Sequence, residues 1–175
     1  SILRQDYPAE TEIIVVNDGS RHASEEAIAS LEETNRNVYM TFLPDRSRSL
    51  SRRKMAIMLG VKAARYQHVV IVAGNALIKS DMWLRCMMRH FTKGKELVIG
   101  WAYNAKREGC EDAVTSRRRL RDFDTVRTAL EYLSFAIAGH PWRGNGANIA
   151  FERELFFRTN GFAATLNLIR GDDDI

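Results

Sequence analysis

The sequence is poor in cysteine and proline and has no long uninterrupted apolar segment. Only two cysteines, Cys86 and Cys110, occur in 175 residues, and neither lies in a Cys-x-x-Cys or Cys/His ligand spacing. These counts argue against a disulfide framework, and a reducing, cytosol-facing environment is the default expectation. No apolar run approaches the roughly 18 residues that a membrane-spanning helix needs, so no span is predicted within these residues.

The sequence also lacks several motifs of catalysis and nucleotide binding. It contains no Gly-x-Ser-x-Gly elbow, no Walker motif and no Rossmann glycine pattern. Its four histidines are scattered without the spacing of metal ligands, and we interpret them as surface or satisfied core residues. No aromatic residues interleave with the basic residues of segment 46–54, so no base-stacking platform and no nucleic-acid binding are predicted.

The composition that remains indicates one globular domain over residues 1–175. Hydrophobic residues make up 45% and charged residues 27%, and the formal net charge is +4. Apolar runs alternate with segments of helical periodicity, which predicts an α/β sandwich with a mainly parallel central sheet. The predicted strands cover 12–16, 38–43, 68–72, 97–103 and 147–151, and the predicted helices end near 34, 65, 94, 138 and 159.

Apolar periodicity also predicts which side chains the helices bury. In the helix over 117–138, Phe123, Val126, Leu130 and Leu133 are expected to form the buried stripe. Cys86 lies beside a pair of methionines in another predicted helix, and we expect it in the core.

The segment from Glu12 to Ser20 carries the clearest strand signal, Glu-Ile-Ile-Val-Val-Asn-Asp-Gly-Ser. Its β-branched run without polar alternation indicates a strand buried on both faces. The run stops at Asn17 and Asp18, and open α/β sheets bind their ligands beyond the carboxyl ends of the strands. Asp18 is therefore either a ligand-binding residue or part of a simple Asp-Gly turn.

Two charged clusters are further candidates for chemistry. Five basic residues occur between Arg46 and Lys54, ahead of a predicted helix, and such a segment either holds phosphate oxygens or is solvated surface. Asp172, Asp173 and Asp174 are adjacent carboxylates, which repel one another unless they face water or a cation or share a proton. They are candidates for general-base or metal chemistry, with an acidic surface turn as the alternative.

A larger pattern consists of short segments that occur in a fixed order along nearly the whole chain. It comprises Gln5-Asp6-Tyr7-Pro8, segment 12–20, Arg52-Arg53-Lys54 with Ala56 and Gly60, segment 79–84, Gly144-Asn145-Gly146-Ala147-Asn148-Ile149-Ala150-Phe151, segment 154–157, Gly161-Phe162 and Gly171-Asp172-Asp173-Asp174. In this order the segments resemble the family 2 glycosyltransferases, inverting enzymes with the GT-A fold that transfer a sugar from a nucleotide donor. The last groups look most like those of membrane-associated bacterial members.

The resemblance implies roles for individual residues. Asp18, in the place of the second aspartate of the family's Asp-Asp-Gly-Ser, would contact the donor's nucleobase, with Asn17 in place of the first. Lys54 would lie near the nucleotide. One of Asp172 and Asp173 would be the base that deprotonates the acceptor hydroxyl, and we assign this role to Asp173.

The implied partners are a nucleotide-diphosphate sugar as donor and a saccharide or lipid-linked molecule as acceptor. The resemblance also implies polysaccharide biosynthesis at the cytoplasmic face of a membrane, with membrane contact through segments outside these residues. It further implies that a first strand of the fold lies before residue 1.

One part of the family pattern is replaced in this sequence. After the strand at 68–72 the family carries Asp-x-Asp, which binds the ribose and a divalent Mg or Mn ion. The matching residues here are Ala73, Gly74 and Asn75. Alanine cannot ligate a metal, and Asn75 offers a single neutral carbonyl to a nucleotide or a cation. The sequence is therefore compatible with an active glycosyltransferase or with a degenerate, non-catalytic module that binds a nucleotide sugar or a partner.

Overall fold

A computed structural model of the protein describes residues 2–17, 23–43, 51–103, 116–168 and 171. A short 3-10 turn at Ile2–Arg4 precedes the regular elements. These are β1 Ile13–Asn17, α1 Ala23–Thr34, β2 Val38–Phe42, α2 Arg52–Ala63, β3 His68–Val72, α3 Trp83–Met88, β4 Leu97–Ile99, α4 Ser116–Ile137, β5 Asn148–Glu152 and α5 Arg153–Arg158. None of the described helices is long and apolar enough to cross a membrane.

The described strands form two hydrogen-bonded groups. β1 and β2 pair in parallel, with Ile13 opposite Val38. β3, β5 and β4 form the second group, in which β5 lies in the middle and runs antiparallel to both neighbours. Helix α2 packs on β1 and α1 packs on β2. The predicted α/β class with a parallel sheet is confirmed, and the parallel pairing among the described strands is that of β1 with β2.

The best-buried part of the molecule surrounds β5. Ile149, Ala150 and Phe151 are buried, because this strand has a hydrogen-bonded neighbour on each side. Ala150 packs with Val98 of β4 and Met87 of α3 in the core cluster. Continuous burial along β5 matches the apolar run that predicted a strand here.

Strand β1 has one open edge. The Ile13 amide donates to the Asn37 carbonyl at 2.7 Å, so the odd-numbered residues of β1 direct their backbone groups toward β2. Because alternate residues of a strand direct these groups to opposite edges, Ile14 and Val16 direct theirs away from β2. Neither has a backbone partner on that edge among the described residues.

The corresponding edge of β3 is open in the same way. The Arg153 amide donates to the Gln67 carbonyl at 2.7 Å, so the even-numbered residues Val70 and Val72 direct their backbone groups away from β5. A cavity of about 910 Å³ lies between the two open edges, lined by residues 13–16 of β1 and 68–72 of β3. We call it the central cavity. All residues of β1 and β3 are only half-buried, unlike the interior of β5.

Several sequence predictions are wrong in detail. The strand predicted over 97–103 ends at Ile99, and Cys86, expected in the core, is exposed. The stripe predicted as buried in α4 is mostly exposed, since Phe123, Val126 and Leu130 all face away from the fold. The buried residues of α4 are instead Ala129 and Tyr132. Periodicity identifies a stripe on a helix but not which neighbour that stripe meets.

Candidate functional site

The carboxyl end of β1 is fixed by contacts to both neighbouring elements. The Asn17 carbonyl accepts from the Leu43 amide at 2.9 Å, just beyond β2. The Asn17 side-chain amide donates to Glu25 Oε1 at 2.8 Å in the first turn of α1. This bond links the end of β1 to the first turn of α1. Asp18 itself lies outside the described residues.

The carboxyl end of β3 leads into an exposed turn. The Ala76 amide donates to the Ala73 carbonyl at 2.8 Å, which closes the turn, and Gly74 and Asn75 are exposed. Ala73, Gly74 and Ala76 line the central cavity. The carboxyl ends of β1 and β3 therefore both lie at the central cavity, where an open α/β sheet is expected to bind its ligand.

Asn148 holds several segments together beside the end of β3. It stands opposite Val72 in the β3–β5 register. Its Oδ1 accepts from Trp83 Nε1 at 3.2 Å, and its Nδ2 donates to the Trp101 carbonyl at 3.0 Å. Gly100 allows this approach, because a Cβ at that position would collide with the Asn148 amide. Sequence reasoning gave Asn148 no role, although it lies in the Gly-Asn-Gly-Ala-Asn segment that supports the family resemblance.

The start of α2 joins two further segments to the site. Ser51 is the N-cap, and its Oγ accepts from the Lys54 amide at 3.4 Å, as capping serines do. The Arg53 guanidinium donates to the Gly146 carbonyl at 2.9 Å, which ties α2 to the approach to β5. The Ser51 amide donates to the Leu166 carbonyl at 2.9 Å, which ties it to the segment after α5.

Lys54 is fully buried at this junction. Its ammonium donates to the Thr165 carbonyl at 2.9 Å and lies 5.6 Å from the centroid of the Phe162 ring. A buried ammonium needs such partners because desolvation otherwise disfavours its charge. The family resemblance implies that Lys54 lies near the nucleotide, and that contact stays a prediction. The observed contacts make Lys54 a link between α2 and segment 162–165.

The arginines that line the cavity lie at one end of it, whereas its acidic lining residues, Glu10 and Glu12, precede β1 at the other end. Arg52 and Arg53 line it together with Val16, at the end where β1 and β3 finish. Guanidinium groups form paired hydrogen bonds to phosphate oxygens and keep their charge at any physiological pH. This end of the central cavity is therefore suited to a phosphorylated ligand.

The opposite end of the cavity carries an ion pair. Glu12, just before β1, accepts from the Arg65 amide at 2.6 Å and from Arg65 Nε at 2.8 Å, just before β3. Burial opposes the charge of Glu12, but the hydrogen bonds from Arg65 outweigh it and lower the pKa of the Glu12 carboxyl. The hydrogen bond to Glu12 raises the pKa of Arg65. The pair shows that β1 and β3 begin at the same edge of the fold.

The predicted site residues are described only in part. Asn17 is the last residue of β1 and Asn75 lies three residues after β3, although neither side chain lines the central cavity, and Lys54 lies in the first turn of α2. Asp18, Asp172 and Asp173 lie outside the described residues. Gly171, directly before the acidic run, has φ +82°, a left-handed conformation that favours glycine.

The described residues do not fit a divalent cation. They include no group of three or more histidine, cysteine, aspartate or glutamate side chains able to hold a metal. At the end of β3, Ala73 has no ligand atom, and Asn75 offers only a neutral carbonyl. We therefore derive no catalytic step through a metal ion.

Comparisons with known proteins agree with this fold. A family model described as Glycosyl transferase family 2 matches residues 1–155. No curated protein matches the chain. Among solved structures, mannosyltransferase PcManGT from Pyrobaculum calidifontis in complex with GDP-Man and Mn2+ matches with a TM-score of 0.62 and 20% identity. That match covers 99% of this chain and 43% of the mannosyltransferase chain, so the present chain spans less than half of that protein.

Proposed function

The chain belongs to glycosyl transferase family 2, and from this we propose that it transfers a sugar from a nucleotide-diphosphate sugar to an acceptor hydroxyl with inversion. One observation carries the proposal beyond family membership. The ends of β1 and β3 and the arginines at the start of α2 meet at one end of the central cavity. This combines the expected ligand edge of an α/β fold with cations suited to a diphosphate.

In the proposed donor complex, the nucleobase lies at the end of β1, against Asn17 and Asp18, and Asn75 contacts the nucleotide from the end of β3. Arg52 and Arg53 face the diphosphate, because both line the cavity at that end. Their charge offsets the negative charge that builds on the departing diphosphate as the glycosidic bond breaks. The mannosyltransferase above was solved with GDP-Man, so GDP-mannose is the first donor to test.

The proposed reaction is a single displacement. Asp173 takes the proton of the acceptor hydroxyl, with Asp172 as the neighbouring carboxylate. The acceptor oxygen attacks the anomeric carbon from the face opposite the leaving diphosphate, which inverts the configuration. The acceptor is a saccharide or a lipid-linked molecule at the cytoplasmic face of a membrane.

Substitution of Asp173 tests the assignment of the base. Asp173→Asn should abolish transfer and leave donor affinity nearly unchanged, because the base acts on the acceptor. Donor affinity is measured by calorimetry with GDP- and UDP-sugars, and transfer by release of the nucleoside diphosphate. Asp174→Asn, one position along, is the matched control and should retain transfer. Loss of donor affinity in Asp173→Asn, rather than loss of transfer alone, would contradict the assignment.

A second candidate function is a non-catalytic module that binds a nucleotide sugar. The observation that favours it is the end of β3, where Ala73 and Asn75 stand in place of two carboxylates. Calorimetry with and without Mn distinguishes the candidates. Binding without turnover and without a metal effect supports the module, whereas turnover supports the enzyme. Ala73→Asp with Asn75→Asp should then introduce a metal effect on binding if the rest of the site is preserved.

A further inference from the structure

Two exposed aromatic side chains follow β4, the strand on the far side of β5 from β3. Trp101 and Tyr103 are 47% and 54% exposed. Their ring centroids are 5.7 Å apart with a tilt of 44°, so the two rings form one continuous surface. The Lys79 ammonium lies 5.7 Å from the centroid of the Tyr103 ring, within reach of a cation–π contact. We call these three side chains the aromatic shelf.

The backbone beneath the aromatic shelf is held in place although β4 has already ended. The Gly100 amide donates to the Asn148 carbonyl at 2.9 Å, and Asn148 Nδ2 donates to the Trp101 carbonyl at 3.0 Å. The Asn145 side-chain amide donates to the Ala102 carbonyl at 3.5 Å. The exposed rings are therefore presented by a fixed backbone, and a ligand that stacks on them does not have to order it first.

The aromatic shelf lies at the same edge of the fold as the ligand end of the central cavity. β3 and β4 both run antiparallel to β5, so they run parallel to each other and their carboxyl ends lie at one edge of the sheet. Lys79 directly follows Ile78, which lines the cavity, and Asn148 stands opposite the last residue of β3. A ligand on the shelf therefore lies beside the end of β3, on the side away from β1.

The chemistry of the aromatic shelf fits a sugar ring. A pyranose presents C–H groups on its flat faces and hydroxyl groups around its rim. The negative face of an aromatic ring attracts such C–H groups, and an ammonium donates hydrogen bonds to hydroxyl oxygens at the rim. A purely apolar ligand fits less well, because it would take water from the Lys79 ammonium and return no hydrogen bond.

We propose that the aromatic shelf binds the acceptor through one of its sugar rings. This inference rests on the proposed function, which assigns the end of β1 and the arginines of α2 to the donor and leaves the far side of β3 to the acceptor. Trp101 and Tyr103 stack on the sugar, and Lys79 bonds its hydroxyl groups. These residues bind and position the acceptor and take no part in the proton transfer assigned to Asp173.

Saccharide binding tests the proposal separately from transfer. An array of immobilised oligosaccharides identifies one that the unchanged protein binds, and calorimetry measures its affinity. Trp101→Ala and Tyr103→Ala should each weaken this binding at least about tenfold, because each removes a stacked ring, while Trp101→Phe should retain most of it. Lys79→Gln should weaken it about threefold. The affinity for GDP- and UDP-sugars should be unchanged in all four variants.

Tyr66→Ala is the matched control, because Tyr66 is 37% exposed and precedes β3 at the opposite edge of the fold. It should bind the oligosaccharide like the unchanged protein, and circular dichroism verifies that each variant is folded. No bound oligosaccharide, or equal binding by Trp101→Ala and Tyr66→Ala, would overturn the proposal and leave the donor assignment in place. Loss of nucleotide-sugar affinity in the shelf variants would also overturn it, since the shelf would then hold the nucleobase. Binding of an oligosaccharide on the shelf without binding of any nucleotide sugar would support the shelf and contradict the proposed function.

Discussion

Replacing Gly100 by alanine would place a methyl group against the side chain of Asn148. A Cβ built at Gly100 would lie 2.5 Å from Asn148 Cγ and 2.8 Å from its Oδ1, whereas ordinary contacts begin near 3.4 Å. The Asn148 amide must therefore move by roughly 1 Å, as overpacked side chains do. This movement would break its hydrogen bonds to Trp83 and to the Trp101 carbonyl.

The expected loss of stability follows from these contacts. Two hydrogen bonds contribute about 0.5–1.5 kcal/mol each, and overpacking costs about 1–3 kcal/mol. The smaller conformational entropy of unfolded alanine offsets about 0.4–1 kcal/mol of this. Together these contributions lie between about 1 and about 6 kcal/mol, and we expect Gly100→Ala to lower the free energy of unfolding by about 3 kcal/mol. For a domain of this size that corresponds to a fall in Tm of about 5–10 °C.

Urea unfolding followed by circular dichroism measures this change, and Gly74→Ala is the matched control. Gly74 has no atom within 4 Å of an added Cβ and no positive φ, so its substitution should change stability by less than about 1 kcal/mol. Donor affinity should also fall in Gly100→Ala, because Asn148 lies opposite the last residue of β3. Equal stability of the two variants would refute the contact between Gly100 and Asn148.

Three further outcomes are expected. Glu12→Gln should lower stability by about 1 kcal/mol at pH 7. The hydrogen bonds from Arg65 lower the pKa of the Glu12 carboxyl in the folded state. The difference in free energy of unfolding between the unchanged protein and Glu12→Gln, measured by urea titration, should therefore persist above the unfolded-state pKa of about 4.3 and shrink as the pH falls below it. In hydrogen exchange by NMR, the amides of Ile14 and Val16 should exchange faster than those of their odd-numbered neighbours. Equal protection would show that these two amides have hydrogen-bond partners at the central cavity. Lys54→Met removes the ammonium that bonds the Thr165 carbonyl, so segment 162–165 should exchange faster and stability should fall by about 1–2 kcal/mol, while unchanged exchange would exclude Lys54 as a link.

Much of the site's framework could be anticipated from local sequence. The runs Ile13–Val16 and His68–Val72 lie in strands, as their continuous β-branched and aliphatic residues predicted, although both strands are half-buried rather than buried on both faces. Asn148 was not predictable, because its importance arises from residues 65 positions away, at Trp83, and from Gly100.

The sequence by itself determined the class of the protein. The order of its strands and helices, together with the motifs along them, identified an α/β glycosyltransferase domain, since each of these signals lies within a few adjacent residues. Only the tertiary structure decided that β5 runs antiparallel, that the Lys54 ammonium is buried against Thr165, and that the stripe of α4 faces outward. These features depend on which elements become neighbours, and periodicity carries no information about the partner of a face.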